Sequence, residues 1–443
     1  MSGRNWIGAV ALIALATSGA IAGQAKRVGK DDRAGLAATE TPPTLAHTQA
    51  LADRYVAEGK AAGIVFAVAH GDSPTLFASA GRLSYDAAAP KADPDSLWRV
   101  YSMTKPLTGM AAMILIEEGK LKLDQPISDF IPAFKDMKVL TDPANSLASR
   151  PAARPITVRN LLTHTAGLGY SIITKGPLLK EYERLGINPA SIAVGPEAQA
   201  RPIRPASLEE FANRAASLPL IADPGTVWSY SIGLDVLGRV IEVASGMPFD
   251  AFLKARIFTP LKMQSSYFTV PASDVARLTT NYFWAGENHL PLDPGDKSVF
   301  ATPPSFPYGG AGLVMSARDY DRFLHMLQNE GTLDGVRVMK EETVRLAMSD
   351  LLPKGVPFGG IGGVTGGTTG PKLGFGAGGS VYLEDAPGGA GKGTYGWGGA
   401  AGTIAWVDPT RDVRGTVMVN YMPADKWPLR ADTVTALYAD FGQ

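Results

Sequence analysis

Ser102-Met103-Thr104-Lys105 places a hydroxyl and an amine three residues apart, the spacing at which two side chains share one face of a helix. A helix follows: Met103, Leu107, Met110, Ala111, Ile114 and Leu115 recur at helical spacing, Pro106 suits a first turn, and Gly119 offers a stop. The helix must begin close to Ser102, where free N–H groups and the positive end of the helix dipole favour an oxyanion. That is the layout a serine acyl-transferase needs. The tetrad alone is not diagnostic, because 25 serines and 19 lysines in a chain of this length produce about one such pattern by chance. An N-cap serine followed by a solvated lysine reads the same way.

A serine hydroxyl also needs a base. The five histidines (His47, His70, His164, His289 and His325) lie in ordinary settings, and His164, in Leu162-Thr163-His164-Thr165-Ala166-Gly167, reads as structural. No serine lies in a strict Gly-x-Ser-x-Gly elbow, which argues against an α/β-hydrolase triad. A lysine ammonium held against a phenol offers another solution, since it stabilises the phenolate. Tyr230 is placed for this role: it follows the Asp223-Pro224-Gly225 turn and precedes a helix with Leu234, Leu237, Ile241 and Ala244 on one face and Gly246 at its end. A third segment, Tyr395-Gly396-Trp397-Gly398-Gly399-Ala400-Ala401-Gly402, runs on into the strand-like Thr403–Val407. Glycines inside a strand mark close approach by a ligand or another backbone. An edge strand there can pair with an extended substrate and donate a backbone N–H to an oxyanion.

The elements that must carry these residues are legible in outline. A helix is expected over Thr44–Ala62, strands over Gly63–Ala69 and Thr75–Ala80, and a Pro- and Ala-rich connection over 136–155. A short helix follows at Ile156–Leu162 with Thr157 as its cap, and an amphipathic helix at Ser316–Glu330. The glycine-rich stretch 355–402 contains strand-like residues at Lys372–Leu383 and Thr394–Val407, which read as hairpins joined by a flexible loop. A strand at Gly415–Tyr421 and a helix at Leu429–Phe441 complete the chain. Strands at both ends with helices between imply an α/β (α+β) fold: an antiparallel sheet formed by the two chain ends, flanked by helices, with an inserted, mostly helical lobe.

Composition narrows the function. At 443 residues, 45% hydrophobic and 19% charged, the chain is globular and long enough for a large core. Formal net charge is zero with no long basic run, which argues against nucleic acid as a partner. There is no cysteine, so disulfides, thiolate catalysis and cysteine metal sites are excluded. Arg4 precedes an apolar stretch from Trp6 to about Ala22, and Ala20-Ile21-Ala22 supplies a small-residue cleavage site. Residues 1–22 therefore read as an export signal to the periplasm or beyond, and 23–45 as a tether. The alternative is an uncleaved membrane anchor, at the short end for a span.

Ser102-Met103-Thr104-Lys105, Tyr230-Ser231-x-x-x-Asp235-Val236-Leu237-Gly238 and Trp397-Gly398-Gly399 occur in an order and at distances that resemble the serine β-lactamase-like superfamily. That superfamily contains class C β-lactamases, D-Ala-D-Ala carboxypeptidases and the family VIII carboxylesterases. Ile156–Gly169 and Gly309-Gly310-Ala311-Gly312-Leu313 support the resemblance, which covers about residues 45 to 441. It implies a β-lactamase/transpeptidase-like hydrolase domain over 46–441, with the sheet from 46–100 and 355–441 and the helical lobe from 101–354. It further implies Ser102 as the acylated nucleophile, Lys105 as the charge that helps activate it, and Tyr230 as base and then acid. The backbone N–H groups of Ser102 and Ala400 would form the oxyanion hole. Whether Lys105 or Tyr230 takes the first proton stays open, since their titrations are coupled. No cofactor and no metal is expected.

Two departures steer the substrate. The family's Tyr-x-Asn is Tyr230-Ser231-Ile232 here, and its Lys-Thr-Gly is Trp397-Gly398-Gly399. A lost charge-assisted hydrogen bond is worth about 1.5–3 kcal/mol, roughly ten- to a hundredfold in binding. The expected activity is therefore that of a carboxylesterase on uncharged, short-to-medium acyl esters, the partner being a small-molecule ester or amide substrate. Trp397, Tyr170 and Tyr395 would wall an apolar pocket beside Gly398 and Gly399. Trp at this place resembles the family VIII esterases. The competing readings are a β-lactamase or D-Ala-D-Ala carboxypeptidase, and a non-catalytic peptidoglycan- or partner-binding protein.

Overall fold

The computed structural model describes residues 44–360 and 371–442. The expected signal, its expected cleavage site and most of the expected tether fall outside these residues. In chain order the elements that frame the site are α1 (Ala46–Ala57), β1 (Gly63–His70), β2 (Leu76–Gly81), α2 (Thr104–Glu117), α3 (Val158–Leu162), α4 (Gly233–Ser245), α5 (Ala317–Gln328), β3 (Leu373–Phe375), β4 (Ser380–Tyr382), β5 (Tyr395–Gly398), β6 (Ile404–Asp408), β7 (Val413–Met418) and α6 (Leu429–Asp440).

β1 to β7 form one antiparallel sheet in the order β3-β4-β5-β6-β7-β1-β2, so the two ends of the chain meet at the β7–β1 pair, where Val65 faces Met418 and Phe66 faces Val417. The alternation of β1 explains the layering. Ile64, Phe66 and Val68 join a core cluster beneath α1 and α6, whereas Val65 and Ala67 belong to the larger cluster around α2 on the opposite face. Thr104 to Leu115 of α2 are all buried, as suits a helix that is apolar nearly all round. β4 pairs with β5 only through Ser380–Gly396 and Val381–Tyr395, while on its other side β5 continues to Trp397–Ala405 and Gly398–Ile404.

Several expected boundaries shift. α1 is Ala46–Ala57 rather than Thr44–Ala62, because Gly59 adopts φ +67° and turns the chain toward β1. The last sheet strand is Val413–Met418 rather than Gly415–Tyr421; Tyr421–Met422 instead pairs in parallel with Asn281–Ala285 in a separate three-stranded sheet. The connection 136–155 carries a small hairpin, Lys138–Leu140 with Ser149–Pro151. The 156–162 helix is α3, and Thr157 caps it in a reciprocal box with Asn160. No helix among the described residues is long and apolar enough to cross a membrane.

Candidate active site

The chain enters α2 through a single 3-10 turn, Tyr101–Met103, so Ser102 stands just ahead of the helix. Tyr101 takes φ +42°, a left-handed conformation that costs a non-glycine residue about 1–3 kcal/mol. Burial holds it there, and its hydroxyl accepts from Asn281 Nδ2 at 3.1 Å. Thr104 Oγ1 accepts from the Leu313 amide, Thr108 Oγ1 donates to Gly309 O, and Tyr320 Oη donates to Met103 O. The first turns of α2 are thus fixed to the 309–313 loop and to α5.

On this mount Ser102 Oγ accepts from Lys105 Nζ at 3.1 Å and from Tyr230 Oη at 2.7 Å. The Lys105 ammonium is wholly buried, donates a 2.6 Å bond to Gly310 O, and stands 4.5 Å from the centroid of the Tyr230 ring. Tyr230 reaches the serine across 128 residues of sequence because the turn before α4 packs against the loop after α3. There His164, also at positive φ (+57°), binds Ser231 through Nδ1, which accepts from the Ser231 amide at 3.1 Å and lies 2.9 Å from Ser231 Oγ. Burial first, and then the Lys105 charge, push the His164 imidazole well below its ordinary range. It is therefore neutral, and its ring lies 4.8 Å from that of Tyr230. His164 is structural, as its sequence setting suggests, but it also packs directly on this site, which nothing in its local sequence displays.

The glycine strand completes the arrangement. A Cβ on Gly399 would stand 2.5 Å from Val100 O and 2.2 Å from Thr403 Oγ1, so only glycine allows β5's end to lie against the segment before Ser102. This brings the end of β5 alongside Val100, two residues ahead of the serine. Trp397 is half-buried and its ring centroid lies 6.0 Å from that of Tyr230. A Cβ on Gly398 would run into the Arg430 guanidinium.

Two expected wall residues are placed differently. Tyr170 is 2% exposed and packs 5.4 Å from the Tyr230 ring, so it backs the Lys105–Tyr230 pair instead of lining an open pocket. Tyr395 is buried and donates to Ala377 O at 2.6 Å. The Tyr395 ring points inward because its hydroxyl has an interior acceptor, a contact that a sequence cannot display. Phe358 and Phe375, not anticipated, pack against Trp228 and Trp397 instead, with Phe375–Trp397 at 5.2 Å and Phe358–Trp228 at 4.7 Å. A cavity of about 460 Å³ lined by Arg154, Arg159, Pro224 and Lys354 contains none of Ser102, Lys105 and Tyr230, so chemistry and not cavity size locates the site.

A serine joined to a lysine and a tyrosine, beside a glycine strand on an antiparallel sheet, defines a serine hydrolase. The chain belongs to the β-lactamase family, whose model matches residues 48–439. It is 36% identical over 344 residues to Protein Rv1367c of Mycobacterium tuberculosis, covering 74% of this chain and 78% of that one. It is 32% identical over 385 residues to the esterase EstB of Burkholderia gladioli, covering 82% and 87%. The solved structure of EstCE1, a hydrolase with promiscuous acyltransferase activity, superposes with a TM-score of 0.70 at 24% identity, covering 88% of this chain and 97% of that one.

Proposed function

We propose that this protein is a carboxylesterase that acts on uncharged, short-to-medium acyl esters through an acyl-enzyme on Ser102. The observation that carries the reading is the pair of bonds converging on Ser102 Oγ, from Tyr230 at 2.7 Å and Lys105 at 3.1 Å. In the reacting state Tyr230 is the phenolate and the 2.7 Å contact runs the other way: Ser102 Oγ–H donates to Tyr230 Oη and passes its proton to it as Oγ attacks the ester carbonyl. The N–H groups of Ser102 and Ala400 receive the developing oxyanion. The tetrahedral intermediate collapses, Tyr230 returns the proton to the leaving alkoxide, and water repeats the sequence on the acyl-serine. Lys105 supplies the positive charge beside the phenolate.

The ester preference rests on what flanks the base. Ile232, where β-lactamases carry an asparagine, is fully buried, and Ser231 is bound to His164. The position of their lysine holds Trp397. Neither change leaves a side chain to grip an amide or a carboxylate, whereas the indole offers an apolar surface. The similarity to EstB agrees with this choice. Steady-state rates on p-nitrophenyl butyrate, nitrocefin and a D-Ala-D-Ala peptide test it: the ester should have by far the highest kcat/KM, and faster nitrocefin turnover contradicts the substrate assignment. The apolar N-terminal stretch supports export, which cell fractionation tests; full-length chain confined to the cytosol contradicts it.

A further inference from the structure

Asp235 lies in the first turn of α4, is 2% exposed, and plays no part in the steps above. Its Oδ1 accepts the Gly310 amide at 2.8 Å, and the carbonyl of the same Gly310 accepts Lys105 Nζ at 2.6 Å. Gly310 therefore joins a buried carboxylate to the buried ammonium that touches Ser102. The fit leaves no slack: a Cβ on Gly310 would stand 2.7 Å from Asp235 Oδ2 and 3.0 Å from Oδ1. The titratable groups around Asp235 are Lys105 from α2, Tyr170 from the loop after α3, and Tyr308 from the loop that carries Gly310. Lys105 is the cation among them, and Tyr308 is itself bonded to Arg204.

We propose that Asp235 is a positioning residue of the Ser102 reaction: through Gly310 and across space, its carboxylate supplies the counter-charge that keeps Lys105 a cationic donor to Ser102 Oγ, leaving Tyr230 to take the serine proton. This rests on the acyl-enzyme reading above. Burial raises the Asp235 carboxyl to about 6, against the pull of Lys105 and the Gly310 bond. The counter-charge is thus present above that pH and lost as pH falls through it. A carboxyl raised in the folded state also costs stability once it is ionised. Removing its charge should therefore lower activity and abolish the part of the pH dependence that follows this ionisation, which loss of a purely structural residue would not do.

The test is the pH dependence of fluorophosphonate inactivation of the full chain, with the labelled peptide mapped. Wild type should be labelled at Ser102 with a rate that falls as pH drops through about 6. D235N can still accept the Gly310 N–H, and its melting temperature at pH 8 reports whether the fold is kept. Its inactivation at pH 8 should be slower by about tenfold or more, with no step near 6. A D235N enzyme with the wild-type rate and the wild-type acid limb overturns the proposal. If D235N does not fold, the wild-type limb decides: a carboxyl ionises with little heat, so its midpoint should hold still with temperature, and a midpoint that moves as an amine's or imidazole's does overturns the proposal. Wild type unlabelled at Ser102 overturns the acyl-enzyme reading itself, a separate result.

Discussion

The Trp397 ring lies 6.0 Å from the Tyr230 ring, inclined at 37°, so an apolar indole flanks the phenol that binds Ser102. Phe375 packs edge-on against the same indole at 5.2 Å. The side of the site where β-lactamases present a cation is here aromatic. Trp397→Ala should raise KM for p-nitrophenyl butyrate about tenfold with little change in kcat, the loss expected when an apolar contact of this size is removed. An unchanged KM shows that the acyl or alcohol group binds elsewhere.

Tyr230→Phe removes one hydroxyl from a ring that otherwise stays packed between His164, Tyr170 and Trp397. General-base catalysis contributes about 10²- to 10⁴-fold, so kcat should fall by that range while KM changes little. Steady-state kinetics on one ester suffices. A variant that keeps the wild-type kcat removes tyrosine from the proton path.

Gly399→Ala tests the approach of β5 to Ser102. The added methyl meets two atoms at 2.5 Å or less, one of them the Val100 carbonyl, so the strand must retreat from the residues before the nucleophile. With one oxyanion donor displaced, kcat should drop about a hundredfold, accompanied by about 1–3 kcal/mol of destabilisation from overpacking. Urea denaturation and kinetics on the same sample separate the two. Full activity in the folded variant shows that the Ala400 amide does not serve the oxyanion.

His164 gives a signature in stability rather than rate. Its imidazole titrates below its ordinary value of 6.5 because it is buried, so below that pH the unfolded chain binds more protons than the folded one. Stability from this residue is intact above about 6.5 and is lost as pH falls below it. Asparagine tolerates the left-handed backbone of position 164. His164→Asn should therefore be less stable at neutral pH yet show a shallower loss between about pH 7 and 5, read by chemical denaturation at several pH values. An equal slope in both proteins places the acid sensitivity elsewhere.

What the sequence disclosed followed from local spacing. Ser102 and Lys105 meet because i and i+3 share a helix face, and α3 and α4 begin and end at residues whose capping chemistry is explicit, Thr157 and Gly246. Both faces of β1 could be inferred from its unbroken apolar run. Tyr230 and Trp397 could be tied to Ser102 only through the order of three motifs, since no local rule links residues this far apart. Asp235 was visible as part of a motif, but its contact with Gly310 depends on a loop 75 residues away. A tyrosine suits a pocket wall and a buried position equally well, so sequence does not separate the two at Tyr170 and Tyr395. The short strands at 138–140, 149–151 and 281–285 carry no legible signal, because three to five residues are too few for an alternation to register.

The central claim is that Ser102 carries the acyl group, and direct labelling tests it most simply. A fluorophosphonate probe, followed by proteolysis and peptide mapping, should modify wild type on the peptide that contains Ser102 and leave Ser102→Ala unmodified, with ester hydrolysis lost in parallel. Labelling of the alanine variant, or modification of wild type at another residue with hydrolysis intact, contradicts the account.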